Sequence, residues 1–87
     1  MFQVYILYSS SLDRYYVGST SDLQARLRRH LSNHRGYTGR AKDWKIVYVA
    51  SFEDRSAAAS REREIKSWKS RVLLEKLVSS VGSDHSD

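Results

Sequence analysis

Two tyrosines in neighbouring apolar segments are the first residues whose type and spacing suggest a polar site. Tyr5 lies in the apolar run 2–8, and Tyr16 follows a turn-like stretch of Ser and Asp. If the chain turns at Ser10 and Ser11, the two phenols face each other on one side of a hairpin, and a register two residues away keeps them diagonal neighbours. The same pattern also fits two aromatic residues that pack in the core. From this feature alone, the core interpretation is favoured.

A second pair of polar side chains lies on a predicted helix. Arg26 and His30 are four residues apart and flank a stripe of leucines, so both are expected to point toward the sheet. From the pair alone, a structural histidine and an arginine that reaches solvent or a carboxylate are the simpler interpretation. His34 is four residues beyond His30, but no third metal ligand is apparent, which favours a solvated helix face.

Two glutamates on a later helix could each approach a polar site. Glu62 has Ala58 and Ile65 as helical neighbours, whereas Glu64 has Trp68. Both could equally form weak surface pairs with neighbouring Arg and Lys side chains. Periodicity does not choose between the two carboxylates.

The elements that must position these groups follow from hydrophobic period and capping signals. The predicted strands cover 2–8, 14–18 and 44–52, and a helix over 22–34 begins at the capping box of Ser21 and Gln24. A second helix is capped by Asp54 or Ser56 and runs to about 68, and a third follows Ser70 with Val72, Leu73, Leu77 and Val81 inward. The segment 35–43 is predicted to be a basic loop. The order ββαβαα predicts an α/β (α+β) sandwich, a small three-stranded antiparallel sheet flanked by helices.

Composition limits the classes of function. The 87 residues allow one domain, predicted over 1–81, with a flexible C-terminal tail over 82–87. The formal net charge of +5 favours a polyanionic partner, with nucleic acid first. The sequence has no Cys, no Gly-rich phosphate loop and no nucleophile elbow. No secretion signal or membrane span is evident, so a cytoplasmic, or nucleoid-associated, location is expected.

The order and spacing of these residues resemble a known family. Val4-Tyr5-Ile6, Tyr16-Val17-Gly18, Arg26, His30, Tyr37-Thr38, Trp44 and the segment around Glu62 are similar to motifs of the GIY-YIG nuclease family. The chain looks most like its short, single-domain bacterial members of the UPF0213 type. Larger nucleases of the family carry an Asn beyond the glutamate, whereas the single Asn here is Asn33.

The resemblance implies a role for each matched residue. It makes Tyr5, Tyr16, Arg26 and His30 catalytic and selects Glu62 as the carboxylate that holds one divalent ion, Mg²⁺ or Mn²⁺. Arg26 would stabilise the phosphate, and Tyr5, alone or with Tyr16 or His30, would orient or deprotonate the attacking water. Because a phenol with an ordinary pKa of about 10 is a poor base at neutral pH, a lowered pKa is expected for Tyr5, with Arg26 and the metal as its sources.

The implied function is metal-dependent endonuclease or nickase activity, structure-selective or nonspecific, in DNA repair or recombination. DNA, whether branched, damaged or duplex, is the expected substrate, with RNA as a further ligand and a partner protein as a source of targeting. The candidate phosphate contacts are Arg35, Arg40, Lys42, Arg61, Lys66, Lys69 and Arg71. The alternatives are a nucleic-acid-binding module that cleaves weakly or not at all and, with less support, a protein interaction module.

Overall fold

Strands and helices follow one another in the predicted order ββαβαα. The computed structural model describes residues 1–32 and 34–84, with side chains to residue 80. The elements are β1 (Phe2–Ser9), β2 (Arg14–Thr20), α1 (Leu23–Leu31), a 3₁₀ turn (Tyr37–Arg40), β3 (Lys45–Phe52), α2 (Arg55–Ser67) and α3 (Arg71–Asp84). Among these helices, none is both long enough and apolar enough to cross a membrane. Asn33 lies outside the described residues.

The three strands form one antiparallel sheet in the order β2-β1-β3, which confirms the predicted fold class. The central strand β1 is covered on both faces, and its four residues 4–7 are fully buried. The hairpin register pairs Tyr5 with Gly18 and Leu7 with Tyr16. The turn is therefore longer than two residues, and Tyr5 and Tyr16 are diagonal neighbours on one face rather than directly opposed.

A carboxylate from a distant loop accounts for the longer turn. Asp43 accepts hydrogen bonds from the hydroxyls of Ser9 and Ser10 at 2.6 and 3.1 Å and from the backbone N–H of Ser11 at 2.8 Å. Asp13 closes the turn with φ of 53°, a left-handed conformation that Asp tolerates. These bonds fix the hairpin end and thereby the register of β2.

The sheet separates two apolar clusters. On one face, Tyr5 and Leu7 pack with Trp44 and with the leucines of α1. On the other face, the buried residues of the sheet and of α2 pack together, and α3 lies against them through Leu74, Leu77 and Val78. Helices thus cover both faces of the sheet, with α1 on one side and α2 and α3 on the other.

Several helix details differ from the sequence predictions. Asp22, not Ser21, caps α1 by accepting the backbone N–H of Ala25 at 3.0 Å, and the helix ends at Leu31 rather than residue 34. Val72 and Leu73 are exposed, because the capping of α3 by Ser70 sets a phase that turns the next apolar positions inward. Helix α3 includes residues 82–84 of the predicted tail, and residues 85–87 lie outside the described part of the chain. The side chain of Val81, predicted to face inward, also lies outside the described side chains.

Candidate active site

Helix α1 places His30 against the central strand. The leucines of α1 pack on the sheet, and this packing turns His30 inward until it is only 6% exposed. The Tyr5 hydroxyl lies 2.7 Å from His30 Nε2 in a buried hydrogen bond. The sequence expectation that His30 faces the sheet is confirmed, and the contact joins two of the predicted catalytic residues.

Three aromatic rings form the centre of the site. The ring centroids of Tyr5 and Tyr16 are 6.4 Å apart, those of Tyr5 and His30 5.7 Å, and those of Tyr16 and His30 4.9 Å. Gly18 makes room for this cluster, since a Cβ at that position would lie 2.5 Å from the Tyr5 hydroxyl. The glycine of the second motif is therefore required by the position of the first tyrosine.

The electrostatics of this cluster favour a neutral phenol and a neutral imidazole. Burial, and then the neighbouring Tyr16, raises the pKa of Tyr5 to about 12, although the Arg26 guanidinium acts in the opposite direction. The lowered pKa expected for Tyr5 is not found in the protein alone, because desolvation outweighs the nearby charge. Burial, followed by the positive charge of Arg26, lowers the pKa of His30 below its usual value.

A cleft of about 730 Å³ opens beside His30 and Tyr16. Its walls come from β2, from α1 and from the segment that follows α1. They consist of Tyr16, Arg26, Arg29, His30, His34, Arg35, Gly36, Tyr37 and Thr38. Three of these described lining residues are arginines and none is acidic, so the cleft suits an anionic ligand.

Glu62 lies on the other face of the sheet, at its β2 edge. Its Oε1 accepts the Ser19 hydroxyl at 2.5 Å, and its Oε2 accepts Lys66 Nζ at 2.6 Å. The Glu62 side chain is 21% exposed, whereas that of Glu64 is 58% exposed and pairs with Arg61. Tertiary structure therefore distinguishes the two glutamates that helical periodicity left equivalent.

Arg26 connects the two halves of the site electrostatically. Its positive charge acts to lower the pKa of both Tyr5 and Glu62, although the net shift of Tyr5 is upward. Burial disfavours ionisation of Glu62, but the hydrogen bonds from Lys66 and Ser19 outweigh burial and hold the pKa of Glu62 below its usual value. Tyr5, Arg26 and Glu62 are thus close enough to influence each other's ionisation, although Glu62 lies around the β2 edge of the sheet from Tyr5.

Glu62 offers a divalent ion one carboxylate and a neighbouring hydroxyl, with the Lys66 ammonium already on its second oxygen. No group of three His, Cys, Asp or Glu side chains able to hold a metal occurs within residues 1–32 and 34–80. An ionised single carboxylate beside a hydroxyl is compatible with Mg²⁺, which keeps several waters and takes further oxygens from a phosphate. His30 and His34 both hydrogen-bond to Thr38.

The predicted phosphate contacts divide into two groups. Arg35 lines the cleft, and Arg40 lies over the exposed Tyr37 ring at 5.5 Å. Lys42 is exposed on the loop that follows, and Lys69 is exposed between α2 and α3, near Arg71. The other three form ion pairs: Arg61 with Glu64, Lys66 with Glu62, and Arg71 with Asp13 and Glu75.

Four residues of the site were not singled out by chemical reasoning on the sequence. These are Gly18, Ser19, Arg29 and Thr38. Gly18, Ser19 and Thr38 stand in or beside the matched motifs, but their types alone carry no catalytic signal. Arg29 lies one position before His30 on the exposed side of the leucine stripe, where a solvated charge is the ordinary expectation.

Comparisons with known proteins agree with this geometry. Residues 1–76 match the family described as the GIY-YIG catalytic domain. A UPF0213 protein of Haloquadratum walsbyi is 39% identical over 66 residues, which covers 75% of this chain and 73% of the relative. No solved structure matches the chain. The extent of the match, together with the tyrosine and histidine cluster beside a cationic cleft, shows that this chain belongs to the GIY-YIG family, a superfamily of nucleases.

Proposed function

We propose that this protein is a metal-dependent DNA endonuclease or nickase that acts in DNA repair or recombination. The observation that carries the proposal is the buried Tyr5–His30 hydrogen bond next to a cleft lined by three arginines. The cleft is suited to a phosphodiester, and the hydrogen bond is suited to proton transfer. Phosphate contacts of this type carry little sequence information, so we expect structure-selective or nonspecific cleavage.

Tyr5 is proposed to pass a proton rather than to exist as a free phenolate. With a pKa of about 12, its ionisation at pH 7 would cost about 7 kcal/mol. Because the Tyr5 side chain is fully buried in the free protein, the proposed step requires that substrate binding opens its oxygen to the cleft. Instead of ionising, the Tyr5 oxygen then accepts a proton from the attacking water while the Tyr5 hydroxyl proton moves to Nε2 of neutral His30. The water oxygen bonds to phosphorus, the bond from phosphorus to the 3′ oxygen breaks, and that oxygen takes a proton from solvent.

Positive charge must offset the charge that develops on the phosphate. Arg26 is half-buried at the cleft wall, where its guanidinium is worth more than in water. Glu62 and Ser19 would hold the divalent ion, which when bound supplies charge neutralisation at the scissile phosphate and the leaving oxygen. Arg29 and Arg35 would contact neighbouring phosphates of the same strand.

The test is nicking of labelled duplex, single-stranded and branched DNA with Mg²⁺ or Mn²⁺. Tyr5→Phe and Glu62→Ala should each lower the cleavage rate by about a hundredfold or more. Tyr15→Phe, on the opposite face of the sheet, and Glu64→Ala, at an exposed ion pair, are matched controls that should keep the wild-type rate. Equal cleavage by the wild type and all of these variants would identify a contaminating nuclease and contradict the proposal.

A second candidate is a nucleic-acid-binding module that cleaves weakly or not at all. It is favoured by Glu62, whose two oxygens are already occupied by Ser19 and Lys66. This candidate predicts DNA binding that weakens steeply between low and physiological salt, without metal-dependent nicking by the wild type. A salt-independent association with DNA would contradict both candidates.

A further inference from the structure

The Thr38 hydroxyl lies between two imidazoles, behind the proposed catalytic pair. Its Oγ1 is 2.7 Å from His30 Nδ1 and 2.9 Å from His34 Nε2. Thr38 is 3% exposed, so its bond to His30 is shielded from water, whereas its bond to His34 is partly buried at the cleft wall. Together with the Tyr5 contact at His30 Nε2, they form one continuous chain of hydrogen bonds from Tyr5 to His34.

The direction of every bond in this chain follows from its last acceptor. His34 Nδ1 lies 2.9 Å from the carbonyl oxygen of Ser32, which can only accept, so Nδ1 carries the proton of the neutral imidazole. His34 Nε2 is then an acceptor, and the Thr38 hydroxyl donates to it. The Thr38 oxygen accepts from His30 Nδ1–H, which leaves His30 Nε2 as the acceptor of the Tyr5 hydroxyl proton.

We propose that Thr38 and His34 are positioning residues that hold His30 in the Nδ1–H tautomer, with Nε2 free to receive the Tyr5 proton. This inference rests on the proposed function for its catalytic meaning. A neutral imidazole can carry its proton on either nitrogen, and the Nε2–H form would present a donor to Tyr5 and block the transfer. The hydrogen bond made by one ring nitrogen decides which form is present.

The backbone around Thr38 is fixed independently of its hydroxyl. Trp44 Nε1 donates to the Thr38 carbonyl oxygen at 2.8 Å, and the Trp44 side chain is buried. Gly39 packs so closely that a Cβ there would collide with the carbonyl oxygen of His34. Because neither contact uses the hydroxyl, Thr38→Val should keep the fold of the segment and remove only the link between the two imidazoles.

The direct test is the tautomer of His30, read from the ¹⁵N shifts of both ring nitrogens in the full-length labelled protein at about pH 8, above the usual imidazole range. The wild type should show a protonated Nδ1 and an unprotonated Nε2. Thr38→Val should populate the Nε2–H form, Thr38→Ser should restore the wild-type pattern, and His34→Phe should again populate Nε2–H. Thr20→Val is the matched control and should leave the His30 tautomer unchanged.

Cleavage kinetics provide the second readout. Thr38→Val should lower kcat by about 10- to 100-fold with KM unchanged, and Thr38→Ser should recover most of the rate, as expected for a residue that orients a base. A wild-type His30 protonated at Nε2, or a tautomer insensitive to Thr38→Val, would overturn the inference. A protein that shows the expected tautomers but cuts no DNA would refute the proposed function and still support the tautomer assignment.

Discussion

Gly18→Ala tests whether the position of the Tyr5 hydroxyl controls the proposed activity, because it leaves every proposed catalytic group chemically intact. Gly18 has no positive φ, so alanine meets no backbone strain there. The effect of the substitution is therefore steric. The new Cβ would lie 2.5 Å from the Tyr5 Oη and 2.7 Å from Cζ, both in a side chain that is fully buried.

The size of the displacement follows from these contacts. Ordinary van der Waals contact begins at 3.4 Å, so the phenol must move by about 0.9 Å. A shift of that size along the line to His30 Nε2 would stretch the 2.7 Å hydrogen bond beyond a useful length. Overpacking of this kind costs about 1–3 kcal/mol, which corresponds to a fall in Tm of at least about 4 °C.

Two measurements separate loss of stability from loss of positioning. Urea unfolding should show the destabilisation, and single-turnover nicking at a temperature where the variant is fully folded should show a loss of about a hundredfold. In a Tyr5→Phe background, Gly18→Ala should still destabilise the protein, since the contact with Cζ remains. It should not lower the residual nicking rate further, because the hydroxyl that it displaces is already gone.

Two results would refute this reasoning. One is a Gly18→Ala protein with wild-type stability and nicking rate, which would mean that the hairpin accommodates the methyl group without moving Tyr5. The other is an equal loss of nicking in the wild-type and Tyr5→Phe backgrounds, which would place the effect of Gly18 outside the phenol.

Three further predictions concern charged groups. Burial depresses the pKa of His30 in the folded protein, so the neutral imidazole's contribution to the free energy of unfolding is present above about pH 6.5 and is lost as the pH falls through the lower pKa of the folded state. Urea unfolding measured against pH should show this loss. His30→Gln should abolish the pH dependence. Lys66→Met should lower the Mg²⁺ concentration needed for half-maximal nicking, because the ammonium group no longer occupies a carboxylate oxygen of Glu62. The control variant Lys69→Met should leave that Mg²⁺ concentration unchanged. Equal shifts in the two variants would indicate a general effect of removing positive charge. Asp43→Asn should lower Tm at neutral pH, because hydrogen bonds from Ser9 and the β1–β2 turn depress the pKa of Asp43 and stabilise its carboxylate in the folded protein. The difference in Tm between the wild type and the variant should shrink as the pH falls below the ordinary Asp pKa of 3.8. A difference in Tm that does not change with pH would contradict this account.

Local chemistry in the sequence determined the elements and the faces of several side chains. The period of two along β1 and β2 placed Tyr5 and Tyr16 on one face even though the predicted register was two residues away from the observed one. The leucine repeat of α1 turned His30 toward the sheet. The orientation of His30 depends on residues that are close in the chain, where hydrophobic periodicity is informative, whereas the shared face of Tyr5 and Tyr16 also depends on the register between the strands.

Other features depend on contacts between distant segments, which no local pattern specifies. The turn between β1 and β2 is set by Asp43, more than thirty residues from the serines that it binds. Glu62 is distinguished from Glu64 only when α2 packs against β2 and Ser19 meets the carboxylate. The pKa of Tyr5 rises because burial removes water from the phenol, an effect larger than the visible charge of Arg26.

The sequence by itself determined the fold class and the order of the elements, and it supplied the tyrosines, the arginine and the histidine that meet in the site. Only the tertiary structure decided how these groups are connected. The hydrogen bonds that join Tyr5 to His30, and His30 to His34 through Thr38, link a strand, a helix and a loop. Proton transfer depends on atom positions to within a few tenths of an ångström, and such positions are fixed by packing among all three segments rather than by the pattern of any one.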